Sequence, residues 1–195
     1  MTTRRTMNTS NEPRLTNFMP MRTHAVPLQP QVSNIVVQPT PTKPTMKWGA
    51  PTWTFLHTLA ALIKESSFQK VRVEVFNIIV KICTNLPCPI CSNHAREYFN
   101  KLNVNAIKSK QDLIYMLYTF HNEVNARKKY TPFPLSGLDK YQTGNYKAIV
   151  NNFMIHYQEK TRNIHLIADE MNRQLNVKAV KSWIIENLHI IDILE

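Results

Sequence analysis

The chain carries three cysteines, and two of them stand in the run Pro87-Cys88-Pro89-Ile90-Cys91, with His94 three residues beyond. A Cys-x-x-Cys pair either passes electrons through a reversible disulfide or ligates a metal. So few cysteines exclude a disulfide-stapled scaffold in which this pair is one bridge among many. The local chemistry favours redox. Cys88 suits the N-cap of a helix, and Pro89 suits its first position, where a missing N–H costs nothing. Cys91 then falls inside the first turn, where the partial positive charge of the helix terminus stabilises a thiolate. A small accessible ring of this type is labile and catalytic more often than structural.

Two further patches hold residues able to surround a ligand. Trp48-Gly49-Ala50-Pro51-Thr52-Trp53-Thr54-Phe55-Leu56-His57 lies upstream, and His121-Asn122-Glu123-Val124-Asn125 lies downstream. Trp53 and His57 are four residues apart, so they share a helical face and can line an aromatic slot. His94 lies one turn beyond Cys91 and points toward the same place. Asn122 and Asn125 interrupt an apolar helical pattern, and buried amides need hydrogen-bond partners. Taken singly, the Trp/His pair suits a core and the basic run Arg127-Lys128-Lys129 suits a solvated surface. Their joint order carries the functional reading.

The elements that position these residues read as helices. Apolar positions recur at three- and four-residue spacing over residues 51–64, 69–84, 88–102, 110–128 and 145–159. Asn85-Leu86-Pro87 breaks the second helix from the third, and residues 131–144 read as a loop. Residues 164–175 and 177–189 read as two more amphipathic helices. The expected class is all-α: a compact bundle of four helices plus a fifth, with a C-terminal helical extension. Residues 1–46 are rich in Pro, Thr, Gln and Asn without periodicity and read as a disordered basic arm. The expected division is 1–46, 47–160 and 161–195.

Composition narrows the function classes. Three glycines in 195 residues argue against a dinucleotide-binding Rossmann fold with its glycine fingerprint. The formal net charge is +11, about half of it in the arm, where Arg4, Arg5, Arg14, Arg22, Lys43 and Lys47 face Glu12 alone. No aromatic-interleaved basic patch accompanies that charge, so nucleic acid is not the expected partner. No apolar run reaches the ~18 residues of a membrane span, and the opening residues lack a signal-peptide pattern.

The three patches, in this order and at these separations, resemble the Erv/ALR family of FAD-linked sulfhydryl oxidases. Its signatures read W-G-x-x-x-W-x-x-L-H, C-x-x-C-x-x-H and H-N-x-V-N. The resemblance covers about residues 47–135 and is greatest to members from large DNA viruses. It implies a helical bundle holding FAD, with the isoalloxazine beside Cys88 and Cys91. It further implies that Cys88 exchanges with a substrate thiolate and that Cys91 passes electrons to the flavin. Oxygen then accepts the electrons and yields hydrogen peroxide. The implied FAD contacts are Trp48, Gly49, Trp53, His57, His94, Tyr98, His121, Asn122, Val124 and Asn125, with Arg127, Lys128 and Lys129 near the pyrophosphate. The implied assembly is a homodimer. The expected location is the cytoplasm of an infected host cell or the virion, ahead of the mitochondrial intermembrane space.

The chain departs from the family pattern at Ala95, where Phe is frequent, and at Met116, where Trp is usual. It also lacks the Gly and shifts the Lys of V-N-x-R-x-G-K, reading Asn125-Ala126-Arg127-Lys128-Lys129-Tyr130. Members with a second cysteine pair use it to shuttle electrons inward. Here Cys83 is the one other cysteine, on the apolar stripe of its helix, where it reads as core. The expected substrate therefore reaches Cys88 directly and is a protein dithiol, small and thioredoxin-like. Two rival classes remain: a zinc module built from Cys83, Cys88, Cys91 and His94, and a non-catalytic basic interaction protein.

Overall fold

The order of helices follows from where the chain can start and stop them. The computed structural model describes residues 46–158 and 167–193, with backbone alone at 167–169. The arm expected over 1–46 lies outside these residues apart from Met46, as do the first three residues of the helix expected from 164. Among the described residues there are six α-helices: α1 Gly49–Leu62, α2 Glu65–Cys83, α3 Pro89–Asn100, α4 Lys110–Lys128, α5 Tyr146–Tyr157 and α6 Ile167–Glu186. The all-α expectation holds.

Helix α1 is the centre. Phe55, Leu56, His57, Thr58, Leu59 and Ala60 are consecutive and all buried, so this helix presents no solvent stripe. It packs on α4, α5 and a 3-10 segment at Leu135–Tyr141. That segment lies within the stretch expected to be a plain loop. Helix α2 packs on α3, α4 and α6. The caps are local and legible. Ser109 and Asp112 form a reciprocal capping box at the start of α4, with Asp112 N–H donating to Ser109 Oγ at 3.1 Å and Ser109 N–H to Asp112 Oδ2 at 2.8 Å. Asn145 caps α5 through Ala148 N–H at 3.0 Å.

The C-terminal segment corrects one expectation. Residues 167–186 form a single helix, where two were expected with a break between 175 and 177. No Gly or Pro stands between those positions, and Asn176 alone does not stop a helix. Val177, Val180, Trp183 and Ile184 join one buried stripe into the common core. Trp183 Nε1–H donates to Glu74 on α2 at 2.6 Å. Beyond α6, Lys64 N–H donates to Ile190 O at 2.8 Å and Asp192 N–H to Leu62 O at 2.7 Å, tying the chain end to the α1–α2 turn. No described helix is long and apolar enough to cross a membrane.

Candidate active site

Cys88 and Cys91 are joined by a disulfide at the N-terminus of α3, with their Cα atoms 5.2 Å apart. Cys88 is the N-cap and Pro89 opens the helix. Cys91 N–H donates to Cys88 Sγ at 3.3 Å, so a terminal helix donor points at the outer sulfur. The next residue in the motif, Ile90, is 75% exposed.

Cys91 faces inward. It walls a cavity of about 290 Å³ together with Trp48, Gly49, Trp53, His94, Val124, Arg127 and Lys128. All seven of these neighbours are residues singled out from the sequence. They come from α1, α3 and α4, so the bundle unites the three patches. Trp48 is buried at the helix start, and a Cβ on Gly49 would meet nothing within 4 Å, which leaves the cavity mouth open there. Lys128 Nζ lies 6.0 Å from the Trp48 ring centroid, and desolvation lowers its pKa. His94 is buried, and its Nε2 lies 3.2 Å from Glu123 Oε1.

His57 and His121 belong to an aromatic stack that adjoins the cavity through Trp53. Trp53 lies on His121 with centroids 4.0 Å apart and planes 7° apart. Phe133 covers the other face of His121 at 4.8 Å, and Tyr141 covers His57 at 4.9 Å. His57 Nε2 and His121 Nδ1 are 3.0 Å apart, so one ring donates to the other. Burial, then the neighbouring His121 and Lys140, brings His57 down to about 3. Burial and Lys140 bring His121 down to about 4. Both imidazoles are therefore neutral at pH 7. Nδ1 of His57 is buried without a partner, a polar atom left for a ligand to satisfy.

The remaining expected contacts lie elsewhere. Tyr98 is buried, stacks on Phe120 at 4.5 Å and donates its hydroxyl to Met116 O at 3.3 Å. Burial and the Glu123 carboxylate push its phenol up to about 12. Asn122 uses both amide atoms on the backbone of Phe133, at 2.7 and 3.1 Å. Asn125 Nδ2 donates to Thr131 O at 3.4 Å. These amides thus hold the loop that carries Phe133. Lys129 ends α4 with φ at 58°, the left-handed conformation that favours glycine, at the place where the family pattern has its Gly. Arg127 Nη1 lies 3.8 Å from Glu97.

Sequence reasoning missed Phe120, Leu86 and Ile90 on the cavity wall and Phe133 and Tyr141 in the stack. Phe120 belonged to the apolar stripe of α4 and looked like core. Phe133 sits in Thr131-Pro132-Phe133-Pro134, where no periodicity signals its direction. Cys83 is free and buried as expected, and burial pushes its thiol well up. It also lies on the cavity wall. Among the described residues no three His, Cys, Asp or Glu side chains gather as metal ligands do, and Cys88 and Cys91 are bonded to each other. The zinc arrangement therefore has no geometric basis here.

An exchangeable disulfide capping a helix, with its inner cysteine against a cavity of tryptophan, histidine and cations, defines a helical redox protein. Residues 50–144 match the Erv1 / Alr family, and the chain belongs to that family. It is 32% identical over 82 residues to an African swine fever virus protein (isolate Pig/Kenya/KEN-50/1950) named FAD-linked sulfhydryl oxidase, covering 42% of this chain and 68% of that one. It is 33% identical over 81 residues to the putative FAD-linked sulfhydryl oxidase 096R of Invertebrate iridescent virus 3, covering 41% and 55%. To the FAD-linked sulfhydryl oxidase ERV1 of Arabidopsis thaliana it is 31% identical over 91 residues, covering 47% of each. No solved structure matches it.

Proposed function

We propose that this chain is a FAD-linked sulfhydryl oxidase that makes disulfides in protein dithiols and delivers the electrons to oxygen as hydrogen peroxide. The observation that carries this reading is Cys91 on the wall of the tryptophan-lined cavity while Cys88 caps the helix outside it. A substrate thiolate attacks Cys88 Sγ, the Cys88–Cys91 bond breaks, and Cys91 leaves as a thiolate. The first-turn position of Cys91 favours that departure, since the helix terminus stabilises the negative sulfur. A second substrate thiolate then attacks the mixed disulfide, forms the substrate disulfide and releases Cys88.

The residues present fit a flavin. Trp48, Trp53, His94 and Val124 line a largely apolar cavity that would hold the isoalloxazine, and Gly49 leaves room at its mouth. Lys128, already partly desolvated, and Arg127 on the cavity wall would hold the pyrophosphate, with Lys129 at the helix end. His57, Tyr98, His121, Asn122 and Asn125 shape the aromatic and amide side of the site. Bound FAD supplies the two-electron acceptor that restores the disulfide and hands electrons to oxygen. Residues 47–160 hold every residue assigned here to catalysis or to FAD, and α6, within the proposed extension 161–195, packs on α2 and α5. The substrate is a small thioredoxin-like protein, the assembly a homodimer as the family resemblance implies, and the location the cytoplasm of an infected cell or the virion, in line with the viral relatives.

The test is direct. Purified protein is expected to be yellow with about one FAD per chain and to consume oxygen and release peroxide with dithiothreitol. Colourless protein from riboflavin-replete cells, or protein that turns over no dithiol, would overturn the reading.

A further inference from the structure

Beside Cys88 lies a further cleft, of about 90 Å³, which shares Leu86 with the flavin cavity. Leu86, Pro87 and Pro89 form its apolar wall, directly flanking Cys88 in the chain. Arg96 of α3 also lines it. Glu170, Asn172 and Arg173 of α6, a helix that lies outside the family-matched residues 50–144, also line it, and the Glu170 carboxylate there is paired with Arg173.

Its two arginines differ in kind. Arg173 is 4% exposed and already satisfied, donating to Tyr157 O at 2.7 Å and to the Glu170 carboxylate. Arg96 is exposed and donates to two neutral acceptors, Asn93 Oδ1 and, at 2.8 Å, Thr84 O. Among the described residues it meets no carboxylate. The two bonds fix the guanidinium in place without neutralising it. A held, unanswered cation beside an apolar strip and the exposed Ile90 is complementary to a polypeptide that carries a carboxylate next to its cysteine.

We propose that this cleft docks the substrate: Arg96 receives an acidic residue neighbouring the reactive cysteine of a protein dithiol, and Leu86, Pro87 and Pro89 meet its apolar flank. The proposal rests on the sulfhydryl-oxidase reading. It adds charge selection at the step in which the substrate thiolate attacks Cys88 Sγ and Cys91 departs. The cleft shares only Leu86 with the flavin cavity, so Arg96 and Asn172 can be changed without touching the cavity wall.

The experiment compares three substrates of the FAD-loaded protein by oxygen uptake: dithiothreitol, a Cys-x-x-Cys peptide flanked by Asp and Glu, and the same peptide flanked by Lys. The wild type is expected to prefer the acidic peptide. Arg96→Glu is expected to lower kcat/KM for it about tenfold at low salt and to raise it for the Lys peptide, with dithiothreitol unchanged. The difference is expected to shrink in ~0.5 M salt, where exposed charges are screened. Asn172→Trp, at an exposed position, fills the cleft and is expected to slow both peptides and not dithiothreitol. Equal rates for the two peptides with dithiothreitol still oxidised would overturn the docking proposal alone. So would Arg96→Glu slowing every substrate alike, or Asn172→Trp slowing none, as when another segment of this chain already covers the cleft. Failure to oxidise dithiothreitol at all would overturn the oxidase reading and the docking proposal with it.

Discussion

The His57–His121 pair makes the fold sensitive to acid in a calculable way. Both rings are neutral in the fold, His57 down to about 3 and His121 down to about 4, chiefly because burial penalises the charged form. In the unfolded chain both return to the ordinary imidazole value of 6.5. Above pH 6.5 neither state is protonated there and the pair costs nothing. As pH falls from 6.5 toward 4, the unfolded chain takes up protons that the folded chain refuses, so stability is lost across that window. Each group contributes a slope of up to ~1.4 kcal/mol per pH unit. Between pH 7.5 and 5.0 that amounts to about 2 kcal/mol from His57 and at most about 4 for both. The two share one hydrogen bond and titrate as a pair, which trims the sum. The assay is urea unfolding followed by circular dichroism at saturating FAD, from pH 7.5 to 5.0. Wild type and His57→Phe are compared, since the Phe ring keeps the stack on Tyr141. The variant is expected to lose close to one proton from the slope below pH 6.5. An unchanged slope, or an imidazole resonance of either ring titrating near 6.5 in the folded protein, would refute the reasoning.

Other outcomes follow from particular contacts. With Cys88→Ser, the freed Cys91 thiolate lies against the flavin slot, so a long-wavelength absorbance shoulder is expected that fades on acidification. Cys91→Ser is expected to lack it and instead to trap a mixed disulfide with substrate; the reverse pattern would exchange the two roles. A Cβ on Gly137 would lie 2.7 Å from the Phe133 ring, so Gly137→Ala is expected to push that ring off His121. The expected cost is about 1–2 kcal/mol in urea and severalfold weaker FAD retention on gel filtration. Lys129→Gly relieves a left-handed backbone that costs a non-glycine residue ~1–2 kcal/mol. A rise of a few degrees in Tm of the FAD-free protein is expected, and a fall would show that the lysine side chain holds the helix end.

What the amino-acid order determined by itself is local. The span of α4 follows from Ser109 and Asp112, which satisfy its first donors within one turn. Cys88 as cap, Pro89 as opener and Cys91 in the first turn follow from four consecutive residues, and the redox chemistry follows from them. Contacts across the bundle were decided by packing alone. Which cysteine meets the cavity depends on how α3 is rolled against α1 and α4. The Trp53–His121 stack joins residues of different helices, and no periodicity could place Phe133 on its other face. Asn122 and Asn125 were marked as buried amides needing partners, and only the return of the 131–133 loop shows which partners they have. The C-terminal residues run as one helix because Val177, Val180, Trp183 and Ile184 are drawn into a core built by α2 and α5. Capping and helix-dipole energies act over one turn and can be read from neighbours in sequence. Burial and stacking act over distances that only the folded chain sets.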